Sequence, residues 1–381
     1  MKRAKSLVGV LLVLVMVGSV VSSAMAVNTV GMKPIIATER SELHKNINIV
    51  KVDPALKNAT PYWIIIVAGS TEKGRSATFK YIDSSTNLTK KEKAELKKFV
   101  KELWRKYRVK TIKSGNVTLI TLGSKTEINL TKEEEIMLDK VAQAVNEYFR
   151  AKYSGDVGIL WNVDTHQDII YIACKKGGEN EDYCKIARDH AGDPDTWGQP
   201  PYFHYYNPDY NFGLAPANCD NYAEHAKVDY SAGYYELAFE ELGWASHYLT
   251  DVGNPLHTGR EGDQVLHRWV HTAYENYVSN NWIAGYNFKS IIDNNWYYYQ
   301  ISDPEKAAKS LASYSHQYVD TLYFKIYNNP DNFQNDQDVK NITENCLLET
   351  AKWTLGLVKY VRGVNSCFPF IFSHISLHSF F

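Results

Sequence analysis

The chain has 381 residues, 44 % of them apolar and 13 % aromatic, which is enough for one or two domains with a substantial buried core. Its 42 Lys and Arg nearly balance 43 Asp and Glu, for a formal net charge of −1, and both signs are spread along the sequence. That balance excludes the basic footprint by which proteins bind duplex nucleic acid or an anionic membrane surface through charge alone.

At the N-terminus, Lys2, Arg3 and Lys5 precede an apolar run over residues 7–17, and small residues lead to Ala24-Met25-Ala26. This is the pattern of a secretory signal peptide over residues 1–26 with an A-x-A cleavage site. The apolar run is shorter than the ~20 residues that span a bilayer, so export to the outside or the cell surface is expected rather than anchoring. Asn-x-Thr triplets at Asn58, Asn87, Asn116, Asn129 and Asn341 fit a secreted glycoprotein. The five cysteines, Cys174, Cys184, Cys219, Cys346 and Cys367, lack the paired spacing of a thiolate zinc site. One or two disulfides are compatible with them, most simply Cys174 to Cys184.

Residues 27–154 read as a small α+β unit. Strands are expected at 63–67, 77–82 and 117–122, and Lys- and Glu-rich amphipathic helices at 90–107 and 131–152. No constellation in this unit points to chemistry, and a propeptide, a chaperone-like segment and a surface-binding module are equally consistent with it. From residue 155 to 365 the character changes to Tyr, Trp, His and Asp, with helical periodicity at 230–252, 265–280, 304–327 and 338–361. Gly253-Asn254-Pro255 ends the first of these helices. Residues 189–216, rich in proline, read as loop, whereas 169–173 opens a core helix just after His166. The tail, residues 366–381, is apolar and aromatic without periodicity and too short to cross a membrane as a helix.

Eight of the twelve histidines fall between His166 and His271. His247 and Asp251 are four apart near the end of one predicted helix, and His271 and Glu275 are four apart within the next. Residues at i and i+4 share a helical face, so each pair presents an imidazole nitrogen and a carboxylate oxygen to one cation. A single such pair is more often a surface ion pair. Two pairs with His257 between them, just past the Gly-Asn-Pro break, are not explained that way. His190, His225 and His267 have no comparable pattern, although His267 and His271 are also four apart.

The stretch His247-Tyr248-Leu249-Thr250-Asp251-Val252-Gly253-Asn254-Pro255-Leu256-His257, followed by His271-Thr272-Ala273-Tyr274-Glu275-Asn276, resembles the zinc-dependent phospholipases C and, more distantly, the single-strand-specific zinc nucleases that share their helical fold. His204-Tyr205-Tyr206-Asn207-Pro208-Asp209 is a weaker match. The resemblance covers residues 161–361 and implies a mainly α fold, a multi-helix phospholipase C-like domain behind the small α+β unit. It implies two or three Zn2+ per chain: one held by Asp189, His204, His247 and Asp251, a second by His257, His271 and Glu275, and a third by His166 with Asp251 shared. Asp193 and Asp195 compete with Asp189 for its place. In the family an N-terminal tryptophan amine completes the third site. Here the nearest candidate is Trp161, whose amine is free only if everything before it is removed.

The resemblance further implies an exported phosphodiesterase that hydrolyses phospholipids by attack of a metal-activated hydroxide on phosphorus, with Asp189 as ligand and proton acceptor. A phospholipid headgroup or another phosphodiester is the expected partner, with peripheral membrane contact, and Tyr202, Phe203, Tyr205 and Tyr206 are candidates to cage a cationic headgroup. A single-strand nuclease and a surface protein with structural zinc are the alternatives. Oligomeric state is not legible in the sequence.

Overall fold

The computed structural model describes residues 33–35, 47–123, 127–153, 163–259 and 264–363. The expected signal peptide, Trp161 and the apolar tail lie outside the described residues. The first part carries β1 (Lys33–Ile35), β2 (Ile49–Val52), α1 (Pro54–Ala59), α2 (Trp63–Ala68), α3 (Glu72–Ser84), α4 (Lys90–Lys106), β3 (Val109–Ser114), β4 (Val117–Leu122) and α5 (Lys132–Tyr153). The second part is helical apart from β5. It runs α6 (Val163–Gly177), α7 (Glu181–His190), α8 (Asp193–Thr196), α9 (Ala215–Ala232), α10 (Tyr235–Asp251), α11 (Gln264–Asn280), α12 (Lys289–Asn294), β5 (Tyr297–Tyr299), α13 (Pro304–His316), α14 (Val319–Asn328) and α15 (Gln337–Val361). The fold is mainly α with a small α+β segment ahead of the helices, as the sequence implies. No described helix is long and apolar enough to cross a membrane.

Two expected strands are helices. Residues 63–67 fall in α2, whose six residues are all buried, and a short run buried on every side has no periodicity to separate strand from helix. In α3, Thr71 caps the start by accepting from Gly74 N, and the buried Ala77, Thr78, Tyr81 and Ile82 follow a helical face. The strand at 117–122 is present. It lies centrally in a three-stranded sheet ordered β2-β4-β3, with β2 parallel to it and β3 antiparallel. The helix expected over 230–252 is broken at Gly233, whose φ of 86° ends α9 in the left-handed conformation. The helix expected over 304–327 is likewise two, α13 and α14. Cys174 and Cys184, the simplest disulfide pair in the sequence, are buried free thiols in contact with each other.

Residues on both sides of position 154 contribute to one hydrophobic core. Polar bonds register the first part on the second. Val50 N donates to Thr321 Oγ1 at 2.9 Å, Val52 N to Asp320 Oδ2 at 2.9 Å, and Asn48 N to Asp338 Oδ1 at 3.0 Å. Trp63 meets Tyr323 edge-on with ring centroids 5.9 Å apart, and the fully buried Tyr81 donates its hydroxyl to the Tyr327 carbonyl.

Helix α15 is buried nearly all round and forms the axis against which α6, α9, α10 and α13 pack. Helix α10, which carries the first histidine–carboxylate pair, packs on α7, α9 and α15. Just past its end, Gly253 lies so close to α15 that an added Cβ would stand 2.1 Å from Thr350 Oγ1. A glycine is therefore needed where the α10 terminus meets the axis. Gly253→Ala is expected to lower unfolding stability by about 1–3 kcal/mol through overpacking. Denaturant titration checks this, and Thr350→Ala added to it should recover part of the loss, since it removes the clashing atom.

Candidate metal centre

The centre is assembled at the end of α10. His247 and Asp251, one turn apart, face the same way and are both fully buried. The chain then turns through Asn254, whose side chain caps Leu256 N at 3.0 Å, into a single 3-10 turn, Pro255–His257, that delivers His257. A second 3-10 turn, Pro201–His204, delivers His204, and Tyr206 N donates to the His257 carbonyl at 3.1 Å, so the two turns hold each other. Helix α6 supplies His166 and α11 supplies His271 and Glu275.

Asp251 occupies the middle. Its Oδ2 lies 3.0 Å from His204 Nδ1 and 3.2 Å from His247 Nε2, while its Oδ1 lies 3.6 Å from His166 Nε2 and 3.6 Å from His257 Nδ1. Three groups of donors able to hold a cation lie near it: His166, His247 and Asp251; Asp195, His204 and His247, which shares His247 with the first; and His257, His271 and Glu275. In the last, Glu275 Oε1 is 2.9 Å from His271 Nε2 and 3.5 Å from His257 Nε2.

Backbone and hydroxyl acceptors aim these imidazoles. His247 Nδ1 donates to the Ala191 carbonyl at 2.8 Å and His257 Nδ1 to the His204 carbonyl at 2.8 Å. Thr250 spends its own hydroxyl proton on the His247 carbonyl at 2.9 Å, so His166 Nδ1 donates to Thr250 Oγ1. In each ring Nε2 is left to face the carboxylates, the arrangement that fixes the tautomer of a metal-binding histidine.

The structure brings together seven of the eight residues expected from the sequence: His166, His204, His247, Asp251, His257, His271 and Glu275. Asp189 is not among them. Helix α7 continues through His190, which leaves the Asp189 side chain 58 % exposed and paired with Arg188 at 2.6 Å. Asp195 stands in its place. It lies in the short helix α8 just past α7, and its side chain is 4 % exposed, 3.3 Å from His247 Nε2 and 3.8 Å from His204 Nδ1. Asp193, the other competitor, accepts from Trp244 Nε1 at 3.1 Å and pairs with His190 at 2.6 Å. Of the four candidate cage aromatics, Tyr205 and Tyr206 are buried and Tyr202 is 38 % exposed. The rings nearest His204 include Tyr248, on which Tyr222 stacks, with Trp244 and the exposed Trp197 beyond.

Asp251 Oδ1 and both oxygens of Asp195 are enclosed without a hydrogen-bond donor. Buried carboxylate oxygens facing imidazole nitrogens form the mixed nitrogen and oxygen donor set that zinc and similar divalent ions favour. The charges respond accordingly. Burial pushes the His166 imidazole down to about 4. Burial also opposes protonation of His247 and His257, but Asp251 outweighs it, and they rise to about 10 and about 9. Against burial, His247 and His257 hold Asp251 well below the usual carboxylate range, and His271 and His257 hold Glu275 at about 2.

Metal-free protein at pH 7.5 therefore keeps protons on His247 and His257, which a metal ligand cannot carry. Their charges stabilise the metal-free fold fully below the unfolded imidazole value of about 6.5, and that contribution fades as pH climbs through 9 to 10. Zinc titrated into metal-free protein is expected to release roughly two protons per chain. Calorimetry in buffers of different ionisation enthalpy measures that number, and zinc uptake without proton release would contradict ligation by these two imidazoles.

No family model matches the chain. It is 38 % identical over 81 residues to a phospholipase C of Listeria monocytogenes, a match spanning 20 % of this chain and 28 % of that protein. Among solved structures, the alpha-toxin of Clostridium absonum aligns over 53 % of this chain and 65 % of its own, with 16 % identity and a TM-score of 0.39. The alpha-toxin of an avian strain of Clostridium perfringens aligns over 53 % and 63 %, with 16 % identity and a TM-score of 0.36. The motif around His247 and the relative named for the activity thus point the same way: this chain resembles the phospholipase C family.

Proposed function

We propose that the chain is an exported zinc-dependent phosphodiesterase of the phospholipase C type, acting on phospholipids at their headgroup phosphate. The observation that carries this reading is Asp251, a buried carboxylate ringed by four imidazoles and flanked by the donor groups of Asp195 and Glu275. Two or three zinc ions would be held there. Asp195, His204 and His247 would hold one and His257, His271 and Glu275 another, with His166 and Asp251 available to a third. Bound ions supply Lewis-acid activation of water and neutralise the phosphate.

The residues of the chain do the rest. The carbonyls of Ala191 and His204 and the Thr250 hydroxyl lock the rings before substrate arrives, so little reorganisation is left for the reaction. Asp195 has two enclosed oxygens, one for a ligand role and one to accept a proton from the attacking water. The exposed Trp197, Tyr202, Tyr210 and Phe212 lie on the segment that carries His204, where they would meet the apolar surface of a lipid substrate.

The described residues from 47 to 153 belong to the working protein in this reading, because Asn48 bonds to α15, β2 bonds to α14 and Tyr81 reaches Tyr327. A secreted chain that begins at Trp161 would refute that part.

Asp195→Asn keeps the shape of the side chain but is expected to lower hydrolysis of a short-chain phosphatidylcholine at least about 100-fold. Asp189→Asn, on the solvent face, should change it by less than about twofold. The reverse ranking would return the ligand role to Asp189, and equal small effects would remove the chemistry from this cluster.

A further inference from the structure

Four of the five Asn-x-Thr triplets lie in the part of the chain that takes no part in the metal centre, and the fifth lies in α15. Their asparagines differ in what their side-chain amides do. N-linked modification needs an Nδ2 that is both reachable and unspent, because that nitrogen forms the bond to the sugar.

Asn341 fails the first condition. It is 8 % exposed near the start of the buried axis helix, and its Oδ1 accepts from Gln337 Nε2 at 2.6 Å. Asn116 fails the second. It sits in the turn between β3 and β4 with its Nδ2 donating to the Ile47 carbonyl at 2.9 Å and its own carbonyl accepting from Ile49 N at 2.8 Å. A sugar there would take the remaining N–H of a nitrogen already pinned to the chain entering β2, and would crowd that contact.

Asn58, Asn87 and Asn129 meet both conditions. All three are exposed. At Asn58, Oδ1 accepts from the Tyr210 hydroxyl at 2.7 Å, which fixes the amide and leaves Nδ2 on its other side. Asn87 and Asn129 each precede by two residues a threonine that caps a helix: Thr89 accepts from Glu92 N and Thr131 from Glu134 N, both at 3.2 Å. Capping accounts for those two threonines by itself. The exposed asparagines two residues earlier are what capping does not explain.

We propose that Asn58, Asn87 and Asn129 are sites of N-linked glycosylation and that Asn116 and Asn341 stay unmodified. The proposal rests on the export proposed above. The co-reactant is a lipid-linked oligosaccharide. Nδ2 attacks the anomeric carbon and loses one proton, the nitrogen–carbon bond forms, the carbon–oxygen bond to phosphate breaks, and a polyprenyl phosphate or pyrophosphate leaves. The product is a carbohydrate coat confined to the first 130 residues, with the glycan on Asn58 beside Tyr210 in the segment that follows His204.

The test is glycopeptide mass mapping of the full chain secreted from a host that N-glycosylates exported proteins. Three occupied sites are expected, at Asn58, Asn87 and Asn129, and each should be lost singly in Asn58→Gln, Asn87→Gln and Asn129→Gln without affecting the other two. Secreted protein that is bare at these positions, or occupied at Asn116 or Asn341, overturns the proposal. The same chain behind the host's own leader separates a failure of glycosylation from a failure of the native leader to export it.

Discussion

A carboxylate at the inner end of a helix, fully enclosed, is the constraint around which the second half of this protein is arranged. Asp251 has no exposure, and an isolated buried charge of that kind is too costly to keep ionised. Its environment supplies four imidazoles within 3.6 Å, drawn from α6, α10 and two short turns that are far apart in sequence. Each element must therefore end at a definite place. Helix α10 stops just past Asp251, Gly253 lets the chain pass against Thr350, and Asn254 and Pro255 turn it so that His257 faces back.

The rings are held from behind as firmly as they are grouped in front. The acceptors at Ala191, His204 and Thr250 are two carbonyls and a hydroxyl whose own proton is already committed, so they favour one tautomer in each ring. Protonated imidazoles balance the carboxylates in the metal-free protein, and divalent ions would replace those protons. The same cluster would thus be stable without metal and ready to exchange protons for it, with pH setting the exchange.

What could be read from the sequence follows the reach of each physical rule. Spacing of four on a helix is a local rule, and His247 with Asp251 and His271 with Glu275 were legible because helices α10 and α11 exist where their periodicity puts them. His257 was legible from the Gly-Asn-Pro break. The place of Asp195 beside His204 and His247 was not, because it turns on where α7 ends and α8 begins, and helix ends are the least local part of a helix pattern. The one available signal was Asp193-Pro194-Asp195 after Gly192, with the proline suited to the first turn of a new short helix that carries the acid. The apolar run at 63–67 looked like a strand because burial on all sides erases periodicity, and only packing against Tyr323 and Trp104 shows it as helix. The bonds from Asn48 to Asp338 and from β2 to Asp320 and Thr321 span some 270 to 290 positions, and no pattern within either partner announces them.

The most direct test of this account is the zinc content of the purified protein by plasma mass spectrometry, read alongside hydrolysis of a phosphatidylcholine dispersion by the same sample. Two or three tightly bound zinc ions per chain, with turnover that disappears on chelation and returns with zinc, is the predicted result. Protein that binds no zinc, or that hydrolyses the lipid equally well after chelation, would contradict the claim that Asp251 and its ring of imidazoles form a catalytic metal centre.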